Sequence, residues 1–295
     1  MSQIINICHY LVTIYFKKGM IKMIKELSKE NYLHIKHFMD GQFINLEIRS
    51  VAIGPNPGCI FVDDLDNPKT ALVWSKGIEG FYFIGDEENP AFNDHINQFI
   101  DDVITPRASH LNYNRFEFSG TSPEWDETIE KIFAHRGLER SKQYVYKNKN
   151  LKDSIKDKLE LEQGYQINEI RPEVLTSELD NLDFLKSNIL AWWDSVNDFF
   201  DHGIGYFIVN NNSIVASCMT SFMDQNSMES HIETLKEHRR KGLARKGVNQ
   251  FLKYCLEHDY EPYWDCMETN AGSRAVATSL GYQKDFEYRL YNFKL

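Results

Sequence analysis

SHIETLKEHRRKGLARKGVNQFLKYCLE, residues 230–257, is the stretch on which the reading of this chain turns. Ser230–Leu235 reads as a strand, and Leu243–Glu257 as a helix with Ala244, Val248, Phe251, Leu252 and Cys255 on one stripe. Between them lies Arg239-Arg240-Lys241-Gly242-Leu243-Ala244. Arg239, Arg240, Lys241, Arg245 and Lys246 crowd eight positions of a chain whose net charge is −10. A helix N-terminus offers unpaired backbone N–H groups and a partial positive charge, so a basic loop opening a helix is a ready phosphate site. Gly242 removes a Cβ that would block close approach of a phosphate, and Ala244 is the next smallest choice. A solvated basic helix start would carry the same residues, and these physical features alone leave both readings open.

Working outward, Gly205–Val209 and Ile214–Phe222 read as strands before the quoted stretch. Tyr260–Asp265 (strand), Ser273–Leu280 (helix) and the aromatic-rich strand Phe286–Phe293 follow it. The first half repeats that order. Strands are predicted at Cys59–Val62, Ala71–Trp74 and Phe81–Ile84, then a helix over Ala91–Val103 with Phe92, Ile96, Phe99, Ile100 and Val103 on one face. A strand at Arg115–Phe118, a helix at Pro123–His135 and a strand at Gln143–Tyr146 complete it, after amphipathic helix between Lys22 and Met39. Gly137 and Gly281 each close a helix, and a tyrosine, Tyr144 or Tyr288, stands seven residues after each. Two copies of one α/β module joined near 151–164 is the simplest account.

The quoted loop resembles the signature Gln/Arg-x-x-Gly-x-Gly/Ala of the GNAT superfamily of N-acetyltransferases, which cradles the pyrophosphate of coenzyme A. Asn270-Ala271-Gly272-Ser273 and Leu280-Gly281-Tyr282 stand where that family carries Asn-x-x-Ser/Ala and a Leu-Gly-Phe ending. The resemblance covers 166–295; the first half shares only the element order. It implies an α/β fold with a mixed, twisted GNAT sheet in two tandem modules. Residues 23–150 form a degenerate copy, 151–164 a linker and 165–295 the acetyltransferase domain. It implies acetyl-CoA as co-substrate, its arm along Ile232, Thr234 and Leu235 and its pyrophosphate at Arg239, Arg240, Lys241, Gly242, Leu243 and Ala244. Asn270 and Ser273 would flank it; a plain helix start is the other reading of that pair. The matching place in the first half, around Glu87–Asn97, has no glycine, and Asp86, Glu87 and Glu88 would repel a pyrophosphate.

Transfer to an amine needs a base, a polarised carbonyl and a tolerated thiolate. Glu229, His231 and Glu233 alternate on one strand face, and the resemblance implies a carboxylate base from this strand, Glu233 before Glu229 and His231. A solvated or salt-bridged strand face would look the same. A bulge, common near active sites, would change which of them points inward. A backbone N–H near Leu235 is the expected polarising donor. The tyrosine acid of many such proteins falls at Ala277 here, leaving Tyr282 and Tyr288 as substitutes. Trp192, Trp193, Phe199 and Phe200 lie where the family places helices over the acceptor cleft, and core packing is the alternative. Two rival functions are a tRNA-dependent aminoacyltransferase, whose paired folds generally lack an intact pyrophosphate loop, and a non-catalytic coenzyme sensor.

Composition bounds the rest. The 295 residues, 42% hydrophobic and 13% aromatic, suffice for two packed cores. The acidic balance argues against a nucleic-acid binder; it suits a cationic partner mildly, and common solubility is the blander and preferred reading. The resemblance implies a small-molecule or peptide amine as acceptor. Five scattered cysteines without a CxxC indicate neither a disulfide framework nor a zinc site, and fit a reducing cytoplasm. Ile4–Phe16 is apolar but too short to span a bilayer, so 1–22 is taken as an N-terminal extension of open role. His34 and His37 read as surface histidines, Asp63, Asp64 and Asp66 as a turn, and Cys266 as a core thiol in preference to a nucleophile. The residues do not specify an oligomeric state.

Overall fold

The structure is a computed structural model that describes residues 24–41, 44–156 and 159–295. Cys8, the Ile4–Phe16 run and the extension 1–22 lie outside the described residues. Among the described residues twelve strands make one sheet. The first half gives β1 (Lys25–Glu26), β2 (Gly58–Val62), β3 (Thr70–Ser75), β4 (Gly80–Gly85), β5 (Arg115–Gly120) and β6 (Glu139–Lys147). The second gives β7 (Tyr165–Glu169), β8 (Gly205–Asn210), β9 (Ser213–Met223), β10 (Ser227–Thr234), β11 (Glu261–Met267) and β12 (Gln283–Lys294). Their order across the sheet is β1-β2-β3-β4-β5-β12-β6-β11-β10-β9-β8-β7. Only β4–β5 and β10–β11 are parallel pairs; the other neighbours are antiparallel.

That order interleaves the two halves. β6 leaves the first half to lie between β11 and β12, and β12 returns to lie between β5 and β6. β12 pairs with β6 from Gln283↔Lys147 to Asn292↔Glu139, and with β5 from Tyr291↔Phe118 to Lys294↔Arg115. Each half therefore receives its closing strand from the other. Residues 24–150 and 165–295 thus share a ladder of backbone hydrogen bonds through β6 and β12.

Helices cover both faces: α1 (Leu46–Ala52), α2 (Pro123–Ile132), α3 (Leu182–Trp192), α4 (Val196–His202), α5 (Leu243–Glu257) and α6 (Ala271–Ser279). Period-two alternation divides the strand side chains between the faces. Phe81 and Phe83 join Phe116, Phe118, Trp125, Phe133 and Phe293 in an aromatic core on one face. Tyr82 and Ile84 pack with Ile35, Ile48 and Val51 on the other. In the second half α5 lays Val248, Phe251, Leu252 and Cys255 on Cys218, Trp264 and Tyr282, as expected from the sequence; Ala244, expected on the same stripe, is half-buried outside that core. Ring pairs such as Phe83–Phe118, 5.6 Å between centroids, each add about 0.5–1.5 kcal/mol beyond burial.

The long helix expected over Ala91–Val103 is broken. Pro90–Asn93 and Ile96–Phe99 are separate turns, Ile100–Ile104 is a π turn, and Thr105–His110 follows. Pro106 lacks the N–H that would continue the ladder, and the Thr105 N–H reaches back to Ile100 O. Phe92, Ile96, Phe99 and Ile100 are buried as the pattern required. Lys29–Asp40 is a 3-10 stretch with Tyr32 and Ile35 inward. Gly137 and Gly281 close their helices at φ +68° and +82°, the left-handed stops expected. The segment after Asn150 docks on α5: Asn249 accepts from Lys156 N at 2.8 Å and donates to Lys156 O at 3.0 Å. Among the described residues no helix is long and apolar enough to cross a membrane.

Candidate active site

β10 and β11 pair only from Ser227↔Glu261 to Glu229↔Tyr263 and then separate. β10 continues to Thr234 along β9, while β11 continues to Met267 along β6. The wedge between them opens into a cleft of ≈ 860 Å³. A register shift between Met228 and Ser230 marks a bulge at the apex, where Glu229 Oε1 accepts the Asp265 N–H at 3.0 Å. Leu235 N–H donates to Val215 O at 2.9 Å. Alternation along β10 then turns the N–H groups of Thr234 and Ile232 to the open edge.

One end of the cleft is basic. Gly242 is the N-cap of α5 at φ +74°, a backbone that side chains other than glycine strain to adopt. A Cβ there would meet no protein atom within 4 Å, so the space above it belongs to the cleft. Arg239, Arg240, Leu243, Ala244 and Arg245 line this end. Arg245 Nε is buried without a hydrogen-bond partner, while Arg239 Nε is tied to Thr234 O at 2.9 Å. Lys241 stands apart: its Nζ donates to Tyr165 OH at 2.6 Å, which meets His238 Nδ1 at 2.8 Å, and it does not line the cleft. Leu235 does not line it either, and its N–H is spent on Val215. Of the backbone N–H groups near Leu235, that of Leu235 itself is turned away from the cleft, while alternation directs those of Ile232 and Thr234 toward it.

Asn270 and Ser273 line the opposite wall. Asn270 caps α6, its Oδ1 accepting from Ser273 N at 3.0 Å. Ser273 Oγ in turn accepts from Trp264 Nε1 at 3.0 Å. A helix cap and a cleft wall are here the same pair of residues. Ala277 is fully buried in the core under α6. Tyr282 is buried too and does not line the cleft, whereas Tyr288 does.

The other end of the cleft is acidic. Glu47, from α1 of the first half, is 2% exposed and Glu229 is 8% exposed; half-buried Asp265 completes the group. Tyr288 OH donates to Asp265 Oδ2 at 2.7 Å. Burial pushes the Glu47 carboxyl up to about 7, against the pull of its own backbone N–H and of Arg49. Burial, then the Glu47 and Asp265 charges, raises Glu229 well above the carboxylate range, and burial with Glu47 does the same to Asp265. His231 lines the cleft with its ring 4.8 Å from that of Trp192, and burial pulls it down to about 4, so its imidazole is neutral at pH 7. Glu233 also lines the cleft and is half-buried.

Glu47 and Asp265 were not singled out in the sequence. The sequence signal for Glu47 is weak: it stands between Leu46 and Ile48, but Asn45, Arg49 and Ser50 share the same stretch. Of the aromatic set after Leu182, Trp193 and Phe199 are buried in the core while Trp192 borders the cleft. Cys266 is a buried thiol, pushed up first by burial. His34 is half-buried with Nδ1 2.6 Å from Leu65 O, and His37 is exposed. Asp63 and Asp64 cap backbone N–H groups of their own turn. No group of three potential metal ligands occurs among the described residues.

A family model for GNAT acetyltransferases matches residues 37–291, across both halves. The chain is 28% identical over 273 residues to the uncharacterized N-acetyltransferase YdfB of Bacillus subtilis (strain 168), covering 92% of this chain and 99% of that protein. A GCN5-related N-acetyltransferase-like protein from Streptococcus suis has a similar fold, with TM-score 0.61 and 19% identity over 90% of this chain and 98% of that one. So does a tandem GNAT protein from the clavulanic acid biosynthesis pathway, with TM-score 0.56 and 12% identity over 92% and 98%.

Proposed function

Because the chain belongs to the GNAT acetyltransferase family, we propose that it moves an acetyl group from acetyl-CoA directly to an amine held in this cleft. The observation that carries the reading is the two-ended character of one continuous space. Cationic and N–H donor groups gather at α5, and acceptor oxygens gather beyond the β10–β11 apex. The residues fit the coenzyme: Gly242 leaves the cradle open, Arg245 Nε lacks a partner, and the first-turn N–H groups of α5 face the same space.

In this reading Arg239, Arg240, Gly242, Leu243 and Ala244 hold the pyrophosphate, with Lys241 adding charge from its place on Tyr165. Ile232 and Thr234 offer their free backbone edge to the pantetheine arm, and Asn270 and Ser273 flank it. The coenzyme, when bound, supplies the activated thioester. Glu233 is the first choice for taking the proton of the amine, with Glu229 and His231 behind it. Glu229 has one oxygen committed to the Asp265 N–H, and the His231 ring is a weak base near pKa 4. Both facts favour Glu233.

Free-thiol release across a panel of primary amines tests this. Amine-dependent release is the expected result. A chain that is stabilised by acetyl-CoA but releases no thiol with any amine would be a sensor and not a transferase.

A further inference from the structure

We propose that the inner end of the cleft is an acceptor subsite for an unbranched aliphatic diamine or polyamine, one ammonium of which is anchored among Glu47, Glu229 and Asp265. This rests on the reading of the cleft as an acetyltransferase site. Five cleft-lining oxygens among the described residues are buried without a hydrogen-bond partner: the hydroxyls of Ser119 and Ser230, and three carboxyl or amide oxygens, Glu47 Oε2, Gln143 Oε1 and Asp265 Oδ1, the last with the Asn45 side chain beside it. The carboxyl and amide oxygens are all acceptors, provided by three separate elements. An ammonium carries three N–H donors and no acceptor, so it satisfies a set of this kind.

The charge points the same way. No Lys or Arg forms a salt bridge with Glu47, Glu229 or Asp265 among the described residues. Arg49, the cation that pulls on Glu47, has its Nε on Asp224 Oδ2 at 2.6 Å. The other titratable groups around the cluster are Tyr82, Tyr263, Tyr282, Tyr288 and Cys266, with His231 along the cleft. Buried carboxylates without a cation are costly, and a ligand that brings positive charge relieves that cost.

The shape of the acceptor follows from the walls and from the reaction. Trp192, Phe222 and Tyr288 line the approach and suit a methylene chain. A polyhydroxylated sugar would leave hydroxyls unsatisfied there. An α-amino acid would bring its carboxylate against three acids. The reacting nitrogen must lose its charge before attack and is an uncharged amide afterwards. A lasting counter-charge for the cluster therefore requires a second nitrogen, which stays cationic.

The test compares 1,4-diaminobutane with n-butylamine, which has the same reacting end and no anchor, by thiol release and by calorimetric titration in the presence of coenzyme A. The expected result is kcat/KM at least about tenfold higher for the diamine. Calorimetry in buffers of different ionisation heat should show about one proton released as the diamine binds, because a protonated carboxyl ionises to meet the cation. Glu47→Gln should raise KM for the diamine roughly 10–100-fold, change that for n-butylamine far less, and leave the acetyl-CoA thermal shift intact. Equal kcat/KM for the two amines, preference for an amino sugar or an amino acid, or diamine binding that Glu47→Gln does not weaken would each overturn the anchor and leave the acetyltransferase reading standing. Should no amine release thiol, the calorimetric arm still decides: without diamine binding or proton release the anchor is wrong. Loss of the acetyl-CoA thermal shift in the wild type would instead remove the reading beneath it.

Discussion

The β4–β5 and β10–β11 junctions occupy equivalent places in the two halves, and only one is open. Both are parallel pairs followed by a helix whose N-cap side chain accepts from its third residue. In the first half Ser122 Oγ accepts from Trp125 N at 3.1 Å, and in the second Asn270 Oδ1 accepts from Ser273 N at 3.0 Å. The third residue makes the difference. Trp125 is fully buried and its Nε1 reaches Gly85 O at 3.1 Å, closing the end of β4 onto α2. Ser273 is small and leaves a wall. β4 stays paired with β5 from Gly80↔Glu117 to Phe83↔Gly120 and ends two residues later, whereas β10 runs on for five residues past its last pair. One junction became core and the other became a cleft, from the same topology. The first half is not inert, since it lends α1 with Glu47 to the far end of the cleft.

The largest expected effect lies in the chemistry of the open junction. Glu233→Gln keeps size and hydrogen bonding while removing basicity, and should lower turnover by about 10²–10⁴-fold with acetyl-CoA affinity preserved. The deficit should shrink as rising pH deprotonates the amine unaided. Full activity at neutral pH would move the base to Glu229 or His231.

Exchanging the third helical residue sharpens the comparison. Ser273→Trp should fill the wedge and eliminate stabilisation by acetyl-CoA. Trp125→Ala should cost about 3–5 kcal/mol of stability without changing the acetyl-CoA affinity of the folded protein. Denaturant unfolding with and without ligand reads both; a coenzyme-binding defect in Trp125→Ala would mean that the two junctions are not equivalent as described.

A smaller effect concerns Glu47. Its folded pKa, about 7, lies above the ordinary 4.5, so the folded chain holds the proton more tightly than the unfolded one. Its contribution is full below the ordinary pKa and declines as pH rises from about 4.5 to 7, by about 3 kcal/mol in all. Glu47→Gln should therefore match the wild type near pH 4.5 and exceed its stability at pH 8. A constant difference across that range would show that Glu47 does not titrate in this window.

The sequence disclosed what is local. The basic loop, Gly242 and α5 are contiguous, so spacing alone brought them together, and the repeat was legible in Gly137 and Gly281. The carboxylate group was not legible, because Glu47, Glu229 and Asp265 come from α1, β10 and β11. The exchange of β6 and β12 was hidden for another reason. Both are aromatic-rich strands at the same offset from a helix-ending glycine, and the pattern is identical whichever neighbour they pair with. Lys241 belongs to the basic run in sequence, but Tyr165 on β7 holds its side chain away from the cleft.

The central claim is that coenzyme binds at the open junction and nowhere else. Its most direct test is the thermal shift produced by acetyl-CoA at about a hundredfold over its dissociation constant, worth about 2.7 kcal/mol by mass action. The shift is predicted to vanish in Gly242→Glu, where a side chain and a negative charge enter the cradle. It is predicted to persist when Asp86, Glu87 and Glu88 are reversed to lysine. An undiminished shift in Gly242→Glu, or its loss in the reversed first half, would contradict the account.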